Sequence, residues 1–89
     1  MKAIVTKFHG PTNSRGSRYT ATDSDKNRVT VGADHTLDSE GNHDAAALAL
    51  CRKMGWTGVL VRGGLAKGNV YVWFRDENNI HRHRIEVTR

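Results

Sequence analysis

The sequence predicts an α+β domain in which a single helix packs on one face of an antiparallel sheet, with elements in the order βββ-α-βββ. Three observations predict it. Short alternating segments rich in β-branched and aromatic residues occur in two groups. One stretch of helical periodicity separates the groups, and polar or glycine-rich turns punctuate the strands.

Residues 2–9 alternate, with Ile4, Thr6 and Phe8 on one side and Ala3, Val5 and Lys7 on the other, which predicts a strand. Gly10-Pro11-Thr12-Asn13-Ser14-Arg15-Gly16-Ser17 holds turn-formers and one arginine, and so reads as a loop. Residues 18–22 alternate again, with Tyr19 and Ala21 facing opposite to Arg18, Thr20 and Thr22. Asp23-Ser24-Asp25-Lys26-Asn27 is a polar turn, and residues 28–31 follow as a third strand with Val29 and Val31 inward. Three strands joined by turns make an antiparallel meander.

Asp38-Ser39-Glu40-Gly41-Asn42 supplies capping oxygens and negative charge where a helix N-terminus favours both. Over residues 43–54, Ala47, Leu50, Cys51 and Met54 recur on one helical stripe, with Ala45 and Ala49 on the opposite, solvent side. Arg52 and Lys53 occupy the last turn and Gly55 follows at C′. Trp56 is expected in the core at the helix end. Residues 59–62 read as a strand, Gly63-Gly64-Leu65-Ala66-Lys67-Gly68 as a hairpin loop, and residues 69–75 as the strongest strand. Asp76-Glu77-Asn78-Asn79 is a turn before a last strand over residues 80–87.

The chain of 89 residues is expected to form a single domain (1–89) whose 37% hydrophobic and 26% charged residues suit a thin core. One cysteine, Cys51, allows no internal disulfide, which points to a reducing, cytoplasmic setting. No targeting segment is visible, and the apolar block at residues 45–51 is too short to span a membrane. The net charge of +5 is sorted into blocks: residues 1–33 carry +4, 34–50 carry −4, 51–74 carry +4 and 75–89 carry +1. Sorted charge makes faces of one sign, which steer and orient partners, although such blocks are also ordinary solvated surface.

Four stretches are candidate sites, each with a plain structural alternative. The loop with Asn13, Arg15 and Arg18 is long for an antiparallel connection, and its amides, hydroxyls and guanidinium forks suit phosphate or carboxylate oxygens. Arg62 and Lys67 flank the glycine-rich loop; Lys67 is followed by Gly68 and a strand, which excludes a nucleotide-binding P-loop and leaves a cationic hairpin. Tyr71 and Trp73 share a strand face with Arg75; that face is either a platform for unpaired bases or the surface beneath the helix. In His81-Arg82-His83-Arg84 the arginines Arg82 and Arg84 align toward one side, facing a polyanion or merely protecting an edge strand. The paired histidines lack the third and fourth ligands of a metal site, so no metal and no cofactor is expected. Cys51 lies on the apolar stripe, which predicts burial, and helix-start capping accounts for Asp44 and the acids before it. No nucleophile-and-base or paired-carboxylate arrangement emerges, and the expectation is a binding protein and not an enzyme.

Gly10-Pro11-Thr12-Asn13-Ser14-Arg15-Gly16-Ser17-Arg18, Lys53-Met54-Gly55-Trp56-Thr57-Gly58 and Gly68-Asn69-Val70-Tyr71-Val72-Trp73-Phe74 together resemble a group of small proteins carried by phages and plasmids. The likeness extends to about Phe74, and residues 75–89 depart from it. The group carries over no catalytic or binding residue. It implies a setting, because accessory proteins of mobile elements commonly bind nucleic acid or block host nucleic-acid-handling defences, as anti-CRISPR and antirestriction proteins do. A basic chain is unsuited to mimic DNA. The resemblance thus implies inhibition of a host defence protein complex by contact. A nucleic-acid-binding module and a phage assembly protein are the alternatives.

Overall fold

The computed structural model describes residues 3–11, 16–65, 68–74 and 84–87. Six strands, β1 (Ala3–His9), β2 (Arg18–Asp23), β3 (Arg28–Gly32), β4 (Gly58–Leu65), β5 (Gly68–Phe74) and β6 (Arg84–Val87), flank the helix α1 (Ser39–Met54) in the order βββ-α-βββ. They form one sheet in the order β3-β2-β1-β5-β4-β6, with every pairing antiparallel. This is the α+β class and element order that the alternation and the helical stripe predict. The meander β1-β2-β3 and the hairpin β4-β5 meet where β1 pairs with β5, which puts the N-terminal strand in the middle.

Helix α1 packs on one face of this sheet. Ala46, Ala47, Leu50 and Cys51 bury against Ile4, Tyr19, Ala21, Leu60, Tyr71 and Val87, with Val29, Val31, Met54 and Trp56 at the margin. The stripe Ala47, Leu50, Cys51 is therefore the buried one, as its spacing requires. Small residues at positions 46 and 47 let the helix approach the sheet closely. Full burial of a side chain such as Leu50 contributes about 2 kcal/mol.

Both helix ends follow the sequence signals. Asp38 is the N-cap, its Oδ1 accepting from Gly41 N–H at 2.7 Å. Gly55 adopts φ 73°, and the N–H groups of Gly55 and Trp56 close a Schellman motif on the Arg52 and Cys51 carbonyls. The β2–β3 turn is held by Asp23, whose Oδ1 accepts from the Asp25 and Asn27 N–H groups at 2.9 Å each.

The structure corrects one boundary of the sequence reading. Gly63 and Gly64 do not belong to a loop. They lie inside β4, opposite Val70 and Asn69 of β5, and the hairpin turns only after Leu65. Strand hydrogen bonds to β5 here outweigh the turn preference of glycine. At Gly68 glycine is required for space, since a Cβ there would run into the carbonyl oxygen of Thr6 on β1. Asn13, Arg15, Lys67, Arg82 and residues 80–83 of the predicted last strand lie outside the described residues. Among the described residues no helix is long and apolar enough to cross a membrane.

Candidate functional site

The two faces of the sheet differ in chemistry, and strand pairing fixes which residues share each face. Under the helix lie Ile4, Thr6, Tyr19, Ala21, Leu60, Arg62, Asn69, Tyr71 and Trp73. On the opposite face, among the described residues, no element packs. Two apolar rows cross its centre, Ala3–Val72–Val61 and Val5–Val70–Gly63. Val72 is 43% exposed there. Beside them the rows turn basic and hydroxylic: Lys7–Thr20–Thr30, Thr22–Arg28 and His9–Arg18–Gly32. A groove of about 450 Å³ runs over this half, with Val5, Lys7, Thr20, Thr22 and Arg28 in its walls. His9 Nε2 lies 3.0 Å from Thr20 Oγ1 within it.

The helix side holds a polar network that the sequence reading did not anticipate. Arg62 Nη1 donates to both carboxylate oxygens of Asp44, at 2.9 and 2.7 Å, and its Nε lies 3.0 Å from Glu40 Oε2. The Tyr71 hydroxyl donates to Asp44 Oδ1 at 2.6 Å, and Asn69 Nδ2 donates to Glu40 Oε2 at 3.2 Å. The hydrogen-bonded Asp44 carboxylate raises the Arg62 pKa above its ordinary value, against the opposing effect of burial. Burial first, then the Asp44 hydrogen bond, pushes the Tyr71 phenol upward.

The structure decides one open alternative, the face of Tyr71 and Trp73, and corrects two expectations, those for Arg62 and Asp44. Tyr71 is fully buried beneath the helix and cannot carry a stacked base. Trp73 shares that side, its ring edge-on to Trp56 with centroids 6.5 Å apart, so the Tyr71–Trp73 face is the one that the helix covers. Arg62 is turned inward onto the first turns of the helix instead of toward solvent. Asp44 does no capping, because its carboxylate is held by Arg62 and Tyr71, 18 and 27 residues away. Arg18, in contrast, does stand on the uncovered face. For Arg84 the backbone pairs with Val61 at one edge.

Two further buried polar groups fix the helix. His43 Nδ1 lies 2.8 Å from Thr6 Oγ1, and its ring sits edge-on to Tyr19 at 4.8 Å. Burial holds the His43 pKa below its usual value, while Glu40 and Asp44 push the other way. Asn42 accepts from Asp34 N–H at 2.8 Å and donates to the Asp34 and Asp38 carbonyls at 3.1 and 3.0 Å, tying the β3–α1 connection to the helix. Burial raises the Cys51 thiol pKa to about 11, so the cysteine is a core residue as predicted. Among the described residues no three His, Cys, Asp or Glu side chains gather in a way that could hold a metal ion.

Comparison with protein families, with characterised proteins and with solved structures returns no match for this chain.

Proposed function

We propose that this protein acts by binding, and that it docks the uncovered face of its sheet onto an acidic protein surface. The observation that carries this reading is the side-by-side arrangement of apolar rows (Ala3–Val72–Val61, Val5–Val70) and basic, hydroxyl-bearing rows (Lys7, Arg18, Arg28, Thr20, Thr30) on that face. An apolar centre with a charged margin is how protein interfaces are built. The cations steer the encounter and set orientation, while burial of the valines holds the complex. In the mobile-element setting that the sequence resemblance implies, the acidic partner is a host defence complex of the CRISPR type, which the protein inhibits by occupying it.

A second reading keeps the same cations and places them on phosphates of a nucleic acid. Lys7, Arg18 and Arg28 on one face support it. Against it, Tyr19, Tyr71 and Trp73 point to the helix side, which leaves the basic rows without a stacking platform from these residues. The two readings separate on salt and on the valines. The decisive experiment expresses the protein in cells that restrict an infecting phage with a CRISPR system, and compares wild type with Val72→Glu and with Lys7→Glu/Arg28→Glu. Protection of the phage by wild type, lost in both variants while both retain wild-type Tm, supports docking by this face. Failure of the wild type to relieve restriction refutes the defence target. Oligonucleotide binding that persists at about 0.15 M salt and survives Val72→Glu replaces the protein partner with nucleic acid.

A further inference from the structure

Arg18 opens β2 at the corner of the uncovered face, paired with His9 of β1 on one side and Gly32 of β3 on the other. One of its terminal guanidinium nitrogens, Nη1, is buried and has no hydrogen-bond partner. A guanidinium has five donors and no acceptor, and leaving a donor dry is costly, so most such groups are matched by protein, water or ligand. Among the described residues, its strand neighbours supply no acceptor: His9 turns along the sheet to Thr20, and Gly32 has no side chain.

Nη1 itself is closed off, but Arg18 is among the residues that line an open groove beside it. Gly32, directly opposite Arg18, has no side chain, and a Cβ added there would meet nothing within 4 Å. A groove of about 460 Å³ lies here, lined by Gly16, Ser17, Arg18, Thr30 and His35 among others. Among the described residues, its polar lining is a guanidinium, two hydroxyls and an imidazole, with no aspartate or glutamate. That set donates to an oxyanion and repels a cation. The groove over the other half of the basic rows differs, since Asp23 borders it beside Lys7 and Arg28.

We propose that Arg18, with Ser17, Thr30 and His35, forms an oxyanion pocket that receives an aspartate or glutamate carboxylate of the partner protein. The inference rests on the reading of this face as a protein-docking surface and names its anchoring contact. A carboxylate matches the planar fork of the guanidinium through two parallel hydrogen bonds, which a lysine at the same position cannot reproduce. A protein that brings this carboxylate also brings apolar side chains to cover Val72, Val61 and Val5; a phosphodiester strand covers none of them. Carboxylate is therefore the favoured oxyanion, and phosphate is the alternative that the test must separate.

The test is a titration followed by ¹H–¹⁵N spectra of the arginine side chains, at physiological salt. The probes are a hexaglutamate peptide, a thymidine hexanucleotide and inorganic phosphate, applied to wild type, Arg18→Gln, Arg18→Lys and Lys7→Gln/Arg28→Gln. The expected result is a saturable shift of the Arg18 side chain with hexaglutamate in wild type, and an affinity for the peptide, read from the backbone amides of β1–β3 in every variant, that falls about tenfold in Arg18→Gln and is not restored by Arg18→Lys. Arg18→Gln keeps the wild-type Tm or exceeds it, since it removes a dry donor. Hexaglutamate binding that is equal in Arg18→Gln and lost in Lys7→Gln/Arg28→Gln overturns the pocket while leaving the docking face intact. A shift of Arg18 by the hexanucleotide or inorganic phosphate and not by hexaglutamate overturns the carboxylate occupant. No shift of Arg18 with any probe, or a collapse of Tm in both Arg18 variants, overturns the pocket outright and assigns Arg18 a structural role.

Discussion

Replacing Asp44 with alanine removes the acceptor on which the polar network beneath the helix converges. Arg62 loses two hydrogen bonds to a carboxylate that is itself only 24% exposed, and the guanidinium, at 17%, cannot recover full hydration. Breaking a buried pair from one side costs about 3–5 kcal/mol, and partial exposure places this pair below that range. The contact of Arg62 with Glu40 adds little, because Glu40 is 54% exposed. Tyr71 loses the acceptor of its 2.6 Å hydrogen bond as well, and Asn69 Nδ2, which donates to the same hydroxyl at 3.5 Å, cannot stand in for an acceptor. The sum is about 3 kcal/mol, a large part of the ~4–13 kcal/mol that a chain of 89 residues has in all. Urea unfolding followed by tryptophan fluorescence should show that loss, with Tm lowered by about 15 °C. Asp44→Leu combined with Arg62→Met should regain part of it, because removing both ends of the pair leaves no unpaired charge, only the Tyr71 hydroxyl without its acceptor. A loss below about 1 kcal/mol in Asp44→Ala would refute the reasoning, since it would mean that water reaches Arg62 and Tyr71 freely.

Other consequences are equally direct. Burial lowers the His43 pKa in the fold, so its stability contribution is complete above the unfolded value near 6.5 and is lost as pH falls through the folded one; Tm should drop from pH 7 to pH 5, and His43→Gln should flatten that drop. Asn42→Ala should cost about 2 kcal/mol in chemical denaturation, because it takes the acceptor from Asp34 N–H and the Nδ2 donor from the Leu37 carbonyl, while the Asp34 and Asp38 carbonyls keep backbone partners. Cys51 is fully buried with its thiol pKa raised to about 11, so a disulfide reagent at pH 8 should modify it only at the rate of unfolding, and a burst of labelling in native buffer would contradict its place in the core.

Local rules carried the sequence reading a long way. Alternation placed β1, β2, β3 and β5, and the cap residues Asp38 and Gly55 bounded the helix, because caps act through hydrogen bonds to residues a few positions away. The face of β5 was not legible. Val70, Val72 and Tyr71, Trp73 are both apolar enough for a core, and the choice falls to Tyr71 only because its hydroxyl finds Asp44 across the fold. Asp44 itself looks like a capping acid from its position in the chain. Its partners come from β4 and β5, and no local spacing announces them. The buried Asn42 and His43 were missed for the same reason, since their value depends on the β3–α1 loop and on Thr6 of β1. The one available hint was electrostatic: a block of four acids followed by a block of four bases invites pairing as much as it invites separate faces.

That pairing decides which charges are left to meet a partner. Glu40 and Asp44, from the acidic block, meet Arg62, from the basic block after it, and Lys53 reaches the Arg28 carbonyl at the helix end. Much of the sorted charge thus closes the fold on itself. The acids gather on the helix side, at Asp38, Glu40 and Asp44, while Lys7, Arg18 and Arg28 stand on the uncovered side of the sheet. The two populations lie on opposite sides of the sheet, so the helix acids offset the sheet cations only weakly. Charge blocks that look like surface patches in the sequence therefore become an Arg62–Asp44–Glu40 cluster against the helix and one basic face. The steering power of the protein resides in that face, next to the valines that a partner would cover.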